Sequence, residues 1–357
     1  DGDYNHHVKA TKTNYVNEAK TEVTLSITKR PVTFTGETSS KVYMGSEIEL
    51  TDVSNNYNAA NKTGLITGHT SNVTYSAKGV EVSATPYTGT ITAADAVVIT
   101  NGEEDVTSNY EITTEPGKLT ITQSNVDWTI SLGDDTYTYD GATHYIDKTP
   151  TSTALTGTTS YSYKFEDDTD YVSDLSSLTK VDAGTYIIKV KATNTNYSTT
   201  AEWEAKLIIN RRAVEFNAEI ARKEYTGDKL SITGVTITEG KELPNGHTHN
   251  VEYLAEGTEV SATPYKGSIT AKDNVRIYNG SKVDVTANFD ITVNEGGLEI
   301  YKTDDTWIIS RESESIKYDG SSHALSKVPT STAKTGTTTY EYSFDENGTY
   351  VRDLSSL

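Results

Sequence analysis

A nine-residue stretch that occurs twice is the feature that most constrains this chain. Residues 79–87 read GVEVSATPY, and residues 257–265 read GTEVSATPY, 178 positions later. A second phrase, DLSSL, occurs at residues 174–178 and again at residues 353–357. Self-similarity over so long a period is typical of a chain built from consecutive copies of one structural unit. We therefore expect a tandem array of repeated modules.

The composition predicts that these modules are made of β-strands. Only 34% of the 357 residues are hydrophobic, yet 24 are Tyr against five Phe and one Met. Tyr, Thr, Val and Ile suit the pleated, half-buried surface of a sheet. No stretch of ten or more residues shows the 3.6-residue periodicity of an amphipathic helix. The predicted fold class is all-β, a tandem array of small β modules that forms an elongated rod.

The repeats divide the chain into two alternating module types. Residues 2–15 match residues 184–197, so the chain starts with the C-terminal part of a type B module. Trp307 matches Trp128, so the N-terminal part of another type B module ends the chain. Short links without Pro- or Gly-rich spacers are expected to limit bending between modules. The predicted segments are B0 (1–29), A1 (30–122), B1 (123–210), A2 (211–302) and B2 (303–357).

Alternation of apolar and polar residues predicts strands and their buried faces. A closing hairpin is predicted over residues 184–209 of B1, with its counterpart in B0. Core positions predicted in B1 include Trp128, Ile130, Leu132, Tyr161, Tyr163 and Phe165. Residues 79–87 are interpreted as a strand and turn, with Val82, Ala84 and Pro86 facing inward and Glu81, Ser83, Thr85 and Tyr87 facing the other way.

Several phrases resemble one known family. Residues 85–122, residues 183–197 (AGTYIIKVKATNTNY) and the Tyr-Asp-Gly tripeptides at 139–141 and 318–320 are similar to the MBG and YDG repeats of large bacterial surface proteins. The resemblance implies Ig-like or β-grasp-like modules, display outside the cell at the bacterial surface or cell wall, and a stalk or adhesive role. It carries no catalytic residues. Tyr43-Met44-Gly45 and Tyr225-Thr226-Gly227 depart from the YDG pattern.

The charge restricts the partners of the chain. A formal net charge of −20 disfavours nucleic acid and anionic membrane surfaces, both of which attract basic patches. The chain has no Cys, which excludes disulfides, thiolate metal sites and Cys nucleophiles. No apolar run approaches the ~20 residues of a membrane helix. Any export signal or anchor is expected outside this sequence.

The histidines recur once per module, which favours roles in module structure. His69 and His247 are repeat partners, as are His144 and His323. His247 and His249 offer two imidazoles on one strand face, but a third zinc ligand is not evident. Position 71, the counterpart of His249, is Ser. We therefore expect structural roles for the histidines and no zinc site.

An acidic turn supplies the only metal candidates. Its carboxylates are the hard oxygen ligands that calcium prefers, although their spacing is not that of an EF-hand loop. The second copy differs, with Asp345, Glu346 and Asn347, and a solvated turn is the favoured interpretation. The weak calcium candidates are Glu166, Asp167, Asp168 and Asp170. Four lysines are candidates for intramolecular isopeptide bonds, namely Lys41, Lys148, Lys223 and Lys327. Their polar, loop-like surroundings favour free surface lysines instead.

The function predicted from these observations is structural rather than enzymatic. The chain is expected to be a stalk of a bacterial adhesin that projects a distal binding region, with no cofactor. One alternative is direct binding of a glycan or host protein by a module face, for which rigid amphipathic Tyr residues are suited. Another is a set of non-catalytic modules beside an enzyme. A further hypothesis is head-to-tail association, in which residues 1–29 of one molecule complete residues 303–357 of the next.

Overall fold

The protein is built almost entirely of β-strands. A computed structural model of the chain describes residues 1–270 and 274–357, which contain no α-helix and only short 3-10 turns. The all-β prediction is confirmed. The residues cluster in two compact units. Unit 1 holds residues 1–135, 145–178 and 186–207, and unit 2 holds residues 136–144, 179–185 and 208–357.

The strands are short, and most have two to seven residues. B0 and A1 contain β1 (Gly2–Ala10), β2 (Ala19–Ile27), β3 (Arg30–Gly36), β4 (Ser39–Val42), β5 (Ile48–Leu50), β6 (Val53–Asn55), β7 (His69–Ser71), β8 (Tyr75–Gly79), β9 (Tyr87–Thr88), β10 (Thr90–Ile91), β11 (Ile99–Asn101), β12 (Glu104–Asp105), β13 (Tyr110–Glu115) and β14 (Lys118–Thr122). B1 contains β15 (Ile130–Ser131), β16 (Asp135–Thr138), β17 (Thr151–Ser152), β18 (Thr159–Phe165), β19 (Gly184–Asn194) and β20 (Ala201–Asn210). A2 and B2 contain β21 (Arg212–Ala218), β22 (Ile220–Glu224), β23 (Leu230–Ile232), β24 (Val235–Ile237), β25 (Thr248–His249), β26 (Glu252–Gly257), β27 (Ser268–Thr270), β28 (Ile277–Tyr278), β29 (Phe289–Asn294), β30 (Gly297–Tyr301), β31 (Ile309–Ser310) and β32 (Thr330–Ser331).

The first and last stretches of each A segment run parallel to each other. In A1, β3 pairs with β13 over six residue pairs, starting at Arg30 opposite Tyr110. After a kink, β4 pairs with β14 over four pairs in the same register, starting at Ser39 opposite Leu119. A2 repeats the arrangement with β21 on β29 and β22 on β30. Adjacent stretches of sequence usually form antiparallel hairpins, so this long-range parallel ladder was not predictable from local patterns.

Each A segment encloses its own small core. In A1 the buried cluster contains Val32, Phe34, Val97, Ile99, Val106 and Tyr110, with Leu65 and Ile112 packed against it. In A2 a buried cluster contains Ala218, Ile232, Tyr253, Ala255, Leu298 and Ile300. Residues from the parallel strands contribute to both clusters. Alternate residues of β3 and β21 are buried, so the core stabilises the ladder from one side.

The predicted closing hairpin of the type B segments is confirmed. In unit 1, β19 lies between β18 and β20, and β18 pairs with it from Thr159 opposite Asn194 to Phe165 opposite Ile188. The predicted core residues Trp128, Ile130 and Leu132 are buried. In B0, β1 and β2 form the same hairpin, from Gly2 opposite Ile27 to Ala10 opposite Ala19. Its residues are exposed along both strands.

The interpretation of residues 79–87 is wrong. Strand β8 ends at Gly79, and no strand resumes until β9 at Tyr87, so the predicted alternation of faces does not occur. Ala84 is exposed, although it was predicted to face inward. The hydroxyl of Tyr87 donates to the carbonyl of Glu81 at 2.8 Å and closes the segment as a loop. Leaving the sheet frees this backbone for contacts outside A1.

Candidate functional site

Three Tyr-x-Gly turns occupy equivalent places in their segments. In each, the backbone N–H of the Tyr donates to the carbonyl of the residue that ends the last strand of the same segment. The ring is therefore held where the chain leaves the segment, which places it in reach of the next one. The three hydrogen bonds join Tyr43 to Thr122, Tyr139 to Asn210 and Tyr225 to Tyr301, each at 2.9 Å.

Within unit 1, Tyr43 connects A1 to B1. Its hydroxyl lies 2.6 Å from the hydroxyl of Thr156 and accepts a hydrogen bond from the backbone N–H of the same residue at 3.1 Å. The ring is buried and meets Tyr197 edge-on, with centroids 5.5 Å apart. Tyr197 in turn lies 5.7 Å from the buried ring of Trp128. The hydrogen bonds fix the direction of the ring, and the aromatic contacts supply buried apolar area.

Within unit 2, Tyr225 makes the same connection from A2 to B2. Its hydroxyl lies 2.5 Å from that of Thr335 and accepts from the backbone N–H of Thr335 at 2.8 Å. Tyr225 follows Tyr43 by 182 positions, and Thr335 follows Thr156 by 179. The contact is thus a property of the repeat, which appears wherever an A segment precedes a B segment in the described residues.

The glycine of each A-type turn is required by the same connection. Gly45 and Gly227 both have φ of +81°, a conformation that side chains with a Cβ rarely adopt. A Cβ added at Gly45 would lie 2.1 Å from the side chain of Leu155, and one at Gly227 would lie 2.2 Å from that of Lys334. Both turns therefore need Gly for the backbone conformation and for the close approach of the next segment.

The loop at residues 79–87 adds a second contact between A1 and B1. The side chain of Asn196 is fully buried, and its oxygen accepts from the backbone N–H of Val82 at 3.0 Å. Its amide nitrogen donates to the carboxylate of Glu81 and to the hydroxyl of Thr156. Asn196 therefore joins the loop to the Thr156 side of the Tyr43 contact. The repeated phrase marks a contact between segments rather than a strand.

The connection from B1 to A2 uses the YDG turn, within unit 2. Tyr139 is buried, and its ring meets Phe289 edge-on with centroids 5.2 Å apart. Its hydroxyl lies 3.1 Å from Nε2 of His247. Burial raises the pKa of the Tyr139 hydroxyl, so the group stays neutral at physiological pH. The Tyr of YDG thus enters the following A segment, as Tyr43 and Tyr225 enter the following B segments.

A buried asparagine completes this connection. The side-chain oxygen of Asn288 accepts from the backbone N–H of Ala183 at 2.7 Å, and its amide donates to Asp182 at 2.8 Å. In unit 1, the side-chain oxygen of Asn109 accepts from the amino group of Asp1 at 2.6 Å. Asp1 and Asn109 are the repeat counterparts of Ala183 and Asn288. The contact between a B hairpin and the following A segment therefore also recurs.

The remaining residues of the YDG turn shape its backbone. One carboxylate oxygen of Asp140 accepts from the N–H of Ala142 at 2.8 Å and lies 2.9 Å from Nε2 of His144. Asp319 makes the same pair with Ser321 and His323, at 2.9 and 2.7 Å. His144 and His323 therefore contact the aspartate of their own turn. His69 lies 2.7 Å from the hydroxyl of Tyr110 and also serves the module structure.

The structure does not gather the predicted metal candidates into a site. Glu166 pairs with Lys189 at 3.1 Å, and Asp168 accepts from Lys164 through its backbone carbonyl. Glu166, Asp167, Asp168 and Asp170 are all exposed. Within residues 1–270 and 274–357, no three or more His, Cys, Asp or Glu side chains are placed to share a metal ion. Nδ1 of His249 accepts from the N–H of Val251.

Two of the lysines considered for isopeptide bonds form ion pairs instead. Lys148 lies 3.3 Å from a carboxylate oxygen of Asp135, and Lys327 pairs with Glu312. Lys223 donates to the carbonyl of Ser231 at 2.8 Å. Lys41 is exposed.

No helix among the described residues has the length and apolar character needed to cross a bilayer.

A shallow groove on B1 lies within unit 1 and has a volume of about 550 Å³. Two aromatic side chains, Tyr171 and Trp203, are partly exposed in it. The indole N–H of Trp203 donates to the carbonyl of Leu132 at 2.9 Å, which fixes the ring. Lys164 lies over the ring of Tyr171 at 5.4 Å. Charged lysine and glutamate side chains line the rest of the groove.

Comparison with known proteins leaves the function to be argued from these contacts. No protein-family model matches the chain, and no curated protein matches it either. Solved structures that align include a complex of Dpr2 Ig1-Ig2 with DIP-Theta Ig1-Ig3, at 10% identity over 76% of this chain and 99% of that one, with a TM-score of 0.25. Three N-terminal domains of the outer capsid protein Hoc of bacteriophage RB49 align at 12% identity over 77% and 99%, with a TM-score of 0.24. Drosophila N-cadherin EC1-3 aligns at 9% identity over 77% and 98%, with a TM-score of 0.19.

Proposed function

We propose that this chain is a stretch of the spacer of a bacterial surface adhesin, which holds a distal binding region away from the cell. The observation that carries the proposal is the recurrence of the Tyr-x-Gly contact. A contact that repeats with each segment gives successive segments a constant relative placement, which is what a spacer of defined length requires. The resemblance to MBG and YDG repeats supports a bacterial source and display outside the cell.

The parallel ladder of the A segments suits a chain under tension. A pull on the two ends of A1 acts on the start of β3 and on the end of β14. Because the two end stretches run parallel, this pull displaces them along their length in opposite directions. Ladder hydrogen bonds lie across that direction, so the pull loads them together rather than one after another. A2 presents the same geometry.

Small-angle scattering of the whole chain tests the spacer. A compact protein of this length has a radius of gyration of about 21 Å. For the whole chain we expect a radius of gyration of about twice that value. Deletion of one repeat should reduce the radius of gyration. Deletion of residues 124–302 is a suitable control because it joins Gln123 to Thr303, the counterpart of Ser124. A radius near 21 Å for the whole chain would contradict the proposal.

The groove on B1 supports a second candidate function, the binding of a glycan by a B segment. The rings of Tyr171 and Trp203 are partly exposed, a hydrogen bond to Leu132 fixes that of Trp203, and rigid amphipathic rings bind at low entropic cost. A glycan array probed with the whole chain tests this function. Binding that is lost in Trp203→Ala and retained in Trp307→Ala would support it, and absence of binding in the unaltered chain would refute it.

A further inference from the structure

A tight turn of A2 places His247 against the YDG turn of B1, within unit 2. The backbone N–H of His247 donates to the carbonyl of Pro244 at 3.1 Å, which closes the turn over Asn245 and Gly246. Pro244 is buried, so one end of the turn is fixed in A2. At the other end, Nε2 of His247 lies 3.1 Å from the hydroxyl of Tyr139. The contact of B1 with A2 therefore depends on the length of this turn.

Asn245 and Gly246 are two neighbours that can react with each other. Asparagine is chemically labile, and a following glycine has no side chain to hinder the approach of its backbone nitrogen. That nitrogen attacks the carbon of the side-chain amide, a C–N bond forms to close a succinimide ring, and the amide nitrogen leaves as ammonia. Water then opens the ring at either carbonyl, which gives aspartate or isoaspartate and releases a proton. Water is the only co-reactant.

Both reacting groups are available at this turn. Asn245 and Gly246 are exposed. In the part of the chain that the structure describes, the side chain of Asn245 and the N–H of Gly246 make no hydrogen bond. A Cβ added at Gly246 would have no atom within 4 Å, so there is room beside it for the succinimide ring.

The other three Asn-Gly pairs of the chain are held in ways that oppose the reaction. The side-chain oxygen of Asn279 accepts from two backbone N–H groups, each at 3.0 Å, which fixes its amide group. The glycine nitrogen that follows Asn347 donates to the carbonyl of Asp345 at 2.9 Å. Asn101 lies in β11, which is paired on one side with β7 and on the other with β12, so its backbone is held extended. Among the four pairs, both groups are unrestrained at Asn245.

The fold of the turn does not require asparagine. In A1 the equivalent turn has the same hydrogen bond, from the N–H of His69 to the carbonyl of Ile66 at 2.9 Å. Thr67 stands there at the position of Asn245, 178 residues earlier. The reactive pair is therefore an addition made in A2 to a turn that both A segments share.

We propose that Asn245 is a site of spontaneous deamidation that loosens the contact of B1 with A2 as the protein ages. The isoaspartate product carries the main chain through the former side chain, which adds one carbon between Asn245 and Gly246. The longer turn cannot keep the hydrogen bond between His247 and Pro244, so His247 moves and Tyr139 loses its partner. The modification limits the lifetime of one contact and goes beyond the spacer function.

Peptide mapping by mass spectrometry tests the modification itself. The whole chain is incubated at mildly alkaline pH and physiological temperature, and the aspartate and isoaspartate forms of each Asn-Gly peptide are separated and quantified. Asn245 should convert several-fold faster than Asn101, Asn279 and Asn347, with isoaspartate among its products. Conversion of Asn245 no faster than that of the other three would overturn the proposal.

Hydrogen exchange of the Tyr139 amide, which donates to Asn210, measures the effect on the contact. After incubation this amide should exchange roughly fivefold faster or more than in the fresh chain, because the part-buried Tyr139 hydroxyl has lost a hydrogen bond. Asn245→Thr copies Thr67 of A1 and should show no acceleration after the same incubation. Fresh Asn245→Asp adds the charge without lengthening the main chain and should match the fresh unaltered chain. Acceleration in either variant, or none in the incubated unaltered chain, would overturn the proposal.

Discussion

The hydroxyl of Tyr43 accepts a hydrogen bond from the backbone N–H of Thr156, and Tyr225 accepts the same bond from Thr335. The two pairs are separated by one repeat of the sequence, and each joins an A segment to the B segment that follows it. Tyr139 makes the equivalent connection from B1 to the following segment, A2. The Tyr-x-Gly turns at residues 43–45, 139–141 and 225–227 therefore connect neighbouring segments, and their middle residues differ (Met44, Asp140 and Thr226).

Removal of the Tyr43 hydroxyl should loosen this connection without unfolding A1. Tyr43→Phe leaves the buried ring in place but deprives Thr156 of an acceptor, at a cost of about 1–2 kcal/mol. We expect amide exchange at Thr156 to accelerate roughly tenfold or more, measured by hydrogen exchange on the whole chain. Tyr57→Phe is the matched control, because Tyr57 is exposed and its hydroxyl contacts only Thr67, at 3.4 Å. Equal effects of the two variants would argue against the role given to Tyr43.

The Asn288 side chain should be required where the B1 hairpin meets A2. Asn288→Ala removes the acceptor of Ala183 N–H and the donor to Asp182, and leaves both groups without this partner. A loss of about 1–3 kcal/mol is expected, because the part-buried N–H of Ala183 loses its acceptor. Hydrogen exchange of the Ala183 amide should measure this loss, because the amide should exchange faster in Asn288→Ala than in the unaltered chain. Asn245→Ala, at an exposed position of the same segment, should change stability by no more than about 0.5 kcal/mol.

Acid should weaken A2 through His249. Its ring packs against Phe216 with centroids 4.6 Å apart, and burial lowers its pKa below the ordinary value. The unfolded chain then binds a proton at a higher pH than the folded chain does. The stability that depends on neutral His249 is present above pH ~6.5 and is lost as the pH falls from there towards the lower folded pKa.

The residue at the equivalent position of A1 provides the variant for this test. His249→Ser copies Ser71, and it should reduce the difference in A2 amide exchange between pH 7.5 and pH 5.5. His6→Ser, at an exposed position of B0, should leave that difference unchanged. An unaltered pH dependence in His249→Ser would assign the acid sensitivity of A2 to another group.

Single-molecule stretching should show two strong unfolding events, one for each A segment. Ile112 lies opposite Val32 near the middle of the parallel ladder of A1. Ile112→Pro should weaken that ladder, because proline has no N–H to donate and fits poorly within a paired strand. We expect one of the two strong events to disappear or to fall to a lower force. A2 is unchanged in the same molecule and serves as the internal control.

Much of the local structure is predictable because the sequence contains two copies of the repeated phrases. Alternation at residues 128–132, in β18 and in the closing hairpin predicts strands and buried residues such as Trp128 and Phe165, and the structure agrees. The parallel pairing of β3 with β13 was not predictable, since it joins residues about 80 positions apart and local patterns do not encode such contacts. The alternation of apolar residues around Glu81 and Val82 predicts a strand, but the structure has a loop there. It is held instead by Asn196 of another segment, which no local rule reveals.

The sequence contains a signal for the connection made by Tyr43. Tyr followed by Gly two positions later occurs seven times, and the copies at residues 43, 139, 225 and 318 fall at equivalent places in successive segments. A turn explains the glycine, but it does not explain why the aromatic residue recurs with it. The tyrosine recurs because its hydroxyl and ring contact the following segment, as Tyr43 contacts Thr156. A contact between segments cannot be inferred from the local sequence of either one.

The distance between A1 and B1 in solution tests the central claim most directly. Spin labels at Glu103→Cys and Thr169→Cys occupy exposed positions of A1 and B1 within unit 1, and the chain has no other Cys. Pulsed electron–electron double resonance should give a single narrow distance distribution, which Tyr43→Ala should broaden. A distribution that is already broad in the labelled chain with Tyr43 intact would show that the Tyr-x-Gly contact does not fix neighbouring segments, and would contradict the account.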